Sequence, residues 1–123
     1  MKYKEINIQC PQLSNAETVA STIIDKVYIT DNTEVTIKDA FKTVDESLFL
    51  FIENVGHDSV LTIKAGGAYP QSLLGDKVIL VPSGLFCLRL HDLHRFQRPD
   101  DSLVLEFPDK FIGNLVCVAK GIL

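Results

Sequence analysis

Phe49-Leu-Phe-Ile-Glu-Asn-Val-Gly-His-Asp-Ser-Val-Leu-Thr-Ile-Lys-Ala-Gly-Gly67 holds two apolar runs around a polar turn, the second running out into paired glycines. The first run, Ser47 to Glu53, is apolar at successive positions, so both of its faces must be covered. That predicts a strand in the middle of a sheet, with an outer face that is itself a candidate interface. Val60 to Ala65 alternates instead, with Leu61, Ile63 and Ala65 turned inward and Thr62 and Lys64 outward, as in a half-buried strand. Asn54 to Ser59 supplies turn residues, and the two runs are expected to form a hairpin.

The same pattern continues to the C-terminus. Gly66 to Asp76 reads as a loop presenting Tyr69, and Lys77 to Val81 as the next strand. Pro82-Ser83-Gly84 turns the chain into Leu85 to His91, with Phe86, Leu88 and Leu90 on one face. Asp92 to Asp101 forms a polar corner, and Leu103 to Phe107 and Leu115 to Ala119 supply the last strands. Toward the N-terminus, Tyr3 to Gln9 alternates as an edge strand and ends at Cys10-Pro11, because proline removes a ladder donor. Ser14 to Ile24 carries capping residues for a short helix but is rich in β-branched side chains. Lys26 to Thr30 and Thr33 to Lys38 are further strands around a turn at Asp31-Asn32.

The fold class expected is all-β: a two-sheet antiparallel β-sandwich, jelly-roll or Ig-like, of about eight or nine strands with an N-terminal arm. Residues 1–40 are assigned to the arm and edge strands, partly in the sandwich, and 41–123 to the sandwich core. With 123 residues, 46% apolar and 23% charged, the composition is that of one globular domain.

Charge and spacing exclude several function classes. Twelve basic against sixteen acidic side chains leave a net charge of -4, which repels phosphate and makes nucleic acid an unexpected partner. No apolar stretch reaches the roughly 20 residues of a spanning helix, so no membrane is expected. The opening Met-Lys-Tyr-Lys-Glu-Ile-Asn has no apolar h-region, which favours use without export. Cys10, Cys87 and Cys117 are odd in number and widely spaced, and they are expected as reduced thiols, Cys87 and Cys117 buried within strands.

His91-Asp92-Leu93-His94 has metal-ligand residue types but lacks further ligands at zinc-site spacing, and no metal is expected. Gly66-Gly67 is followed by neither the helix nor the lysine of a phosphate loop. Ser83 lacks the context of a nucleophile elbow. The sequence therefore names no catalytic residue and no cofactor, and the expectation is a protein that is not an enzyme.

The order of features carries a resemblance. Leu48-Phe-Leu-Phe-Ile-Glu-Asn-Val-Gly56, Leu61-Thr-Ile-Lys-Ala-Gly66, Gly75-Asp-Lys-Val-Ile-Leu-Val-Pro-Ser-Gly84 and Arg95-Phe96 together resemble small bacteriophage β-sandwich structural proteins of the head decoration (auxiliary capsid, cement) type. The resemblance covers residues 44–119, with Val55 where a small polar residue is usual and Ser83 where alanine is. It implies a virion structural protein on the outer surface of the capsid, present in host cytoplasm during assembly, with the major capsid protein as partner. It leaves open whether the protein is a trimer or a monomer. The candidate interface residues are the aromatic anchors Tyr3, Tyr28, Phe41, Tyr69 and Phe111, with Ile6 and Ile8 on the arm as an edge-pairing strand. The alternatives are a carbohydrate- or receptor-binding module using Tyr69, and a head-tail or tail adaptor.

Overall fold

A computed structural model describes residues 3–13, 22–41, 47–90 and 93–120. Ten strands fill it: β1 (Lys4–Gln9), β2 (Gln12–Leu13), β3 (Val27–Ile29), β4 (Thr33–Lys38), β5 (Ser47–Asn54), β6 (Ser59–Ile63), β7 (Lys77–Val81), β8 (Gly84–Leu90), β9 (Leu103–Phe107) and β10 (Gly113–Lys120). A 3-10 helix, Pro70–Leu74, interrupts the loop before β7, and a single helical turn, α1 (Leu93–Phe96), precedes β9.

The strands form two sheets. One runs β1-β4-β9-β6-β7, and the other β2-β10-β5-β8 with β3 beside β10. From β3 onward every described pairing is antiparallel. From β3 onward the chain changes sheet at each step except from β6 to β7. That winding is the jelly roll, so the topology decides between the two sandwiches expected. The sheets are nevertheless mixed, because β1 joins β4 and β2 joins β10 in parallel.

Alternation builds the core between the layers. Val35, Ile37, Leu61, Ile63, Leu103, Leu105 and Phe107 face Ile29, Leu48, Leu50, Ile52, Leu115 and Ala119, and all are buried. Removing that apolar surface from water is the main stabilising term, at about 25 cal/mol per Å².

The hairpin expected from Ser47 to Ala65 does not form. β5 pairs with β8 and β10 in one sheet, and β6 with β7 and β9 in the other. Asn54 explains why the intervening residues make a corner. Its buried side chain donates to the carbonyls of His57 (2.8 Å) and Val81 (3.2 Å), and its Oδ1 accepts from the Gly56 amide (3.0 Å). Asp58 accepts from the Ser83 amide at 2.9 Å, so the β5–β6 and β7–β8 crossings are tied to each other.

Other differences are local. Residues 22–26 carry no regular structure, and the helix expected from Ser14 falls mostly outside the described residues. β10 begins at Gly113, ahead of the strand expected from Leu115: a Cβ there would lie 1.9 Å from the Glu53 carbonyl oxygen, so the glycine permits close approach of two backbones. The N-terminal strands are part of the sandwich. Ile6 and Ile8 pack against the core, and the Cys10 amide continues the β1–β4 ladder by donating to the Lys38 carbonyl at 3.0 Å.

Candidate docking surface

Two edge strands, β7 and β8, end their sheets on the same flank and are joined only by Pro82 and Ser83. An unpaired edge offers N–H and C=O groups to any passing strand, and proteins normally blunt such edges with charge, proline or bulges. The β7 sequence Lys-Val-Ile-Leu-Val carries one charge at its start. Its outward side chains Val78 and Leu80 are exposed, as is Val60, which stands directly opposite Leu80 on β6. Leu85 at the start of β8 is 77% exposed and Leu73 on the 3-10 helix is 93% exposed.

The apolar character continues across the outer face of the second sheet. Cross-strand register sets Val116, Phe51 and Cys87 in one row and Val118, Phe49 and Arg89 in the next. The Arg89 guanidinium lies 5.7 Å from the Phe49 ring centroid, a cation–π distance. The third row, Tyr28, Asn114, Glu53 and Leu85, is polar at its centre, where Asn114 donates to Glu53 at 2.8 Å. Outward positions on a water-facing antiparallel sheet are usually polar, so the partly exposed Phe49, Phe51 and Val116 depart from the rule, while Val118 is buried. By contrast, the far half of the other sheet shows Glu5, Glu34 and Glu106 side by side in register.

The loop between β6 and β7 is fixed from beneath. Arg95 donates from Nε to the Gly75 carbonyl (2.9 Å) and from Nη2 to those of Asp76 (3.0 Å) and Leu74 (3.3 Å). The Arg95 carbonyl accepts from the Gly66 amide at 3.0 Å, while buried Phe96 anchors the turn in the core. Gly66 is required there, since a Cβ would come within 2.0 Å of the Gln97 carbonyl oxygen. Asp76 accepts from the Ala65 amide at 2.7 Å and pairs with Lys64 at 3.1 Å. The Ala65 bond, then Lys64, holds the Asp76 carboxyl below the usual aspartate range, although partial burial pushes the other way. A loop held at so many points presents Leu73, Leu74 and Tyr69 at little further entropic cost on binding.

The residues singled out in the sequence fall into three groups. Tyr28 and Tyr69 are on the surface, 62% and 40% exposed. Tyr69 stacks on His94 with centroids 4.2 Å apart, so one face of its ring is taken. Phe41 and Phe111 are core residues and are removed as anchors: the Phe41 amide ties to the Asp101 carbonyl, and the Phe111 ring packs on Phe107 with centroids 4.7 Å apart. Tyr3 is half-buried, while Ile6 and Ile8 point inward rather than toward a partner. His91 and Asp92 lie outside the described residues, and among the described residues no three His, Cys, Asp or Glu groups gather as metal ligands.

Val78, Leu80, Leu85 and Leu73 were not singled out. The signal for Val78 and Leu80 is the one applied to Ser47–Glu53, since Val78 to Val81 is also apolar at consecutive positions. Cys87 corrects a further expectation, since it is exposed on the outer face of β8 while Cys117 is buried.

No family model matches the chain, and no curated protein does. Among solved structures, a chain from work described as "Bacillus endospore appendages form a novel family of disulfide-linked pili" is similar at a TM-score of 0.43 and 16% identity, over 86% of this chain and 95% of that one. Neither figure is high enough to transfer a property from that chain to this one.

Proposed function

We propose that this protein is a non-enzymatic structural module that docks on a preassembled protein lattice, the phage head being the lattice implied by its sequence resemblance and the major capsid protein its partner. The observation that carries the reading is the apolar flank of β7 and β8, with Val78, Leu80 and Leu85 exposed, continuous in register with Phe49 and Phe51. A monomer in solution gains nothing from exposing Val78, Leu80 and Leu85 together, whereas a contact that excludes water from them gains hydrophobic free energy. Fixed loops and a sandwich core supply a rigid body, and net negative charge disfavours packaged DNA as a competitor. Repetition across a lattice lets modest individual contacts hold firmly. The carbohydrate-binding reading draws on Tyr69 alone, one face of which His94 covers.

The test is cosedimentation of the purified protein with capsids lacking decoration, followed by cryo-electron microscopy of the pellet. Regular extra density on the outer shell is expected, with the β7–β8 flank against it. Leu80→Glu combined with Leu85→Glu, at exposed positions where surface changes cost about 0.5 kcal/mol or less, should keep the fold and weaken binding at least about tenfold. Binding by the double variant equal to that of the parent removes this flank from the reading. Bare capsids with all protein in the supernatant remove the decoration role.

A further inference from the structure

Cys10 is the residue at which the chain leaves one sheet for the other. Its amide closes the β1–β4 ladder, and two residues later Gln12 pairs in parallel with Ala119 while the Ala119 amide donates to the Pro11 carbonyl at 2.9 Å. Continuing that register back by two residues sets Cys10 opposite Cys117 on β10. Neighbouring strands run about 4.8 Å apart, within the roughly 4.4–6.8 Å separation of Cα atoms that a disulfide spans. Both side chains face the core, at 2% and 4% exposure.

We infer that Cys10 and Cys117 are a disulfide-forming pair, oxidised in place by a small-molecule disulfide to staple the N-terminal strands to the last strand. The Cys10 thiol donates to the Pro11 carbonyl at 3.6 Å, and its proximity holds the Cys117 thiol below the ordinary range, against the upward push of burial. Cys117 lines an open cleft and is therefore the attacking sulfur. A route exists, because a cleft of about 270 Å³ lined by Ile8, Gln9, Pro11, Asp25, Val27, Leu115 and Cys117 reaches it from the surface.

The chemistry balances as two thiol–disulfide exchanges with a low-molecular-weight disulfide such as glutathione disulfide. Cys117 thiolate attacks one sulfur of the reagent, whose S–S bond breaks. The departing thiolate takes up the proton lost by Cys117. Cys10 then attacks the Cys117 sulfur of the mixed disulfide, the new bond forms, and the second small thiol leaves with the Cys10 proton. The protein is oxidised by two electrons and the reagent reduced to two thiols. Cys87, on the outer face of β8, takes no part.

Because the bridge closes a loop of roughly a hundred residues, it should restrict the unfolded chain strongly and raise the melting temperature by about 10 °C or more. The test is incubation of the native protein with glutathione disulfide at pH 8, removal of the reagent, denaturation with iodoacetamide, and tryptic mapping. The expected result is a monomer on a non-reducing gel, a linked pair of peptides 5–26 and 111–120, and alkylation or glutathionylation confined to Cys87. Cys87→Ser should preserve the link and the thermal shift. Full alkylation of Cys10 and Cys117, or a 10–117 link found only in dimers, overturns the inference, and the map on the unmutated protein decides without relying on variants that fail to fold.

Discussion

At the scale of the residue, Asp76 shows how a side chain read as loop polarity becomes a structural part. The sequence places it at the end of a loop, but only the fold brings it to the Ala65 amide and Lys64. A carboxyl whose folded value lies below its ordinary one stabilises the fold at all higher pH. That contribution fades as pH falls below the ordinary 3.8 and through the lower folded value. Lys64, raised chiefly by the same Asp76 bond, keeps its contribution until pH rises past 10.5. Between those limits the loop should be insensitive to pH. The expected outcome in an NMR titration is that the Ala65 amide resonance and its exchange protection stay constant down to about pH 4 and change only below it. Asp76→Asn, which keeps an acceptor but cannot titrate, should abolish the change, and an Ala65 amide that titrates above pH 4 would contradict the assignment. Phe41 and Phe111 carry the complementary lesson: an aromatic beside turn residues looks the same in sequence whether it faces a partner or the core. Lys110, at φ 67°, sets the chain direction that buries Phe111, and no pattern in the flanking residues announces that.

At the scale of the element, strand positions were legible wherever two-residue alternation or a continuous apolar run was bounded by glycine, proline or asparagine, which holds for β1, β4, β6, β7 and β9. Pairing was not legible, because a strand's own residues do not say which sheet receives its neighbour. The Asn54 corner illustrates this: a polar six-residue connection suits a hairpin or a crossing equally, and the decision comes from the Val81 carbonyl that Asn54 meets. The N-terminal strand illustrates it too. Ile6 and Ile8 were expected on an arm whose strand pairs with a partner's edge, as a detachable arm would, yet β1 covers the edge of β4 with both side chains inward. Deleting residues 1–12 should therefore cost stability. Partial exposure of Val35 and Ile37 together with loss of the parallel ladder corresponds to about 3 kcal/mol or more. Urea denaturation followed by circular dichroism measures it, and an unchanged midpoint would restore the detachable arm.

For the whole molecule, the winding imposes a kinetic signature. β10 completes the second sheet by pairing with β2, β3 and β5, and β9 stands between β4 and β6, so both sheets stay open until the C-terminal third of the chain has arrived. Among the described strands, only β6 and β7 pair with a neighbour in sequence. Closing such long loops costs entropy before any core contact repays it, and sandwiches of this kind fold in about milliseconds to seconds where helical bundles need microseconds. Refolding from urea, followed by far-ultraviolet circular dichroism in a stopped-flow instrument because the chain has no tryptophan, should show a dominant phase in that slow range. Leu115 is fully buried and sits on the strand that closes the second sheet, so Leu115→Ala should lower stability by about 2–5 kcal/mol, as for other buried leucines. If closure of β10 is part of the nucleus, most of that loss appears as slower folding; if it follows the nucleus, it appears as faster unfolding. A microsecond phase carrying the full amplitude would be incompatible with the β2-β10-β5-β8 order, since no local pairing in that sheet could form so fast.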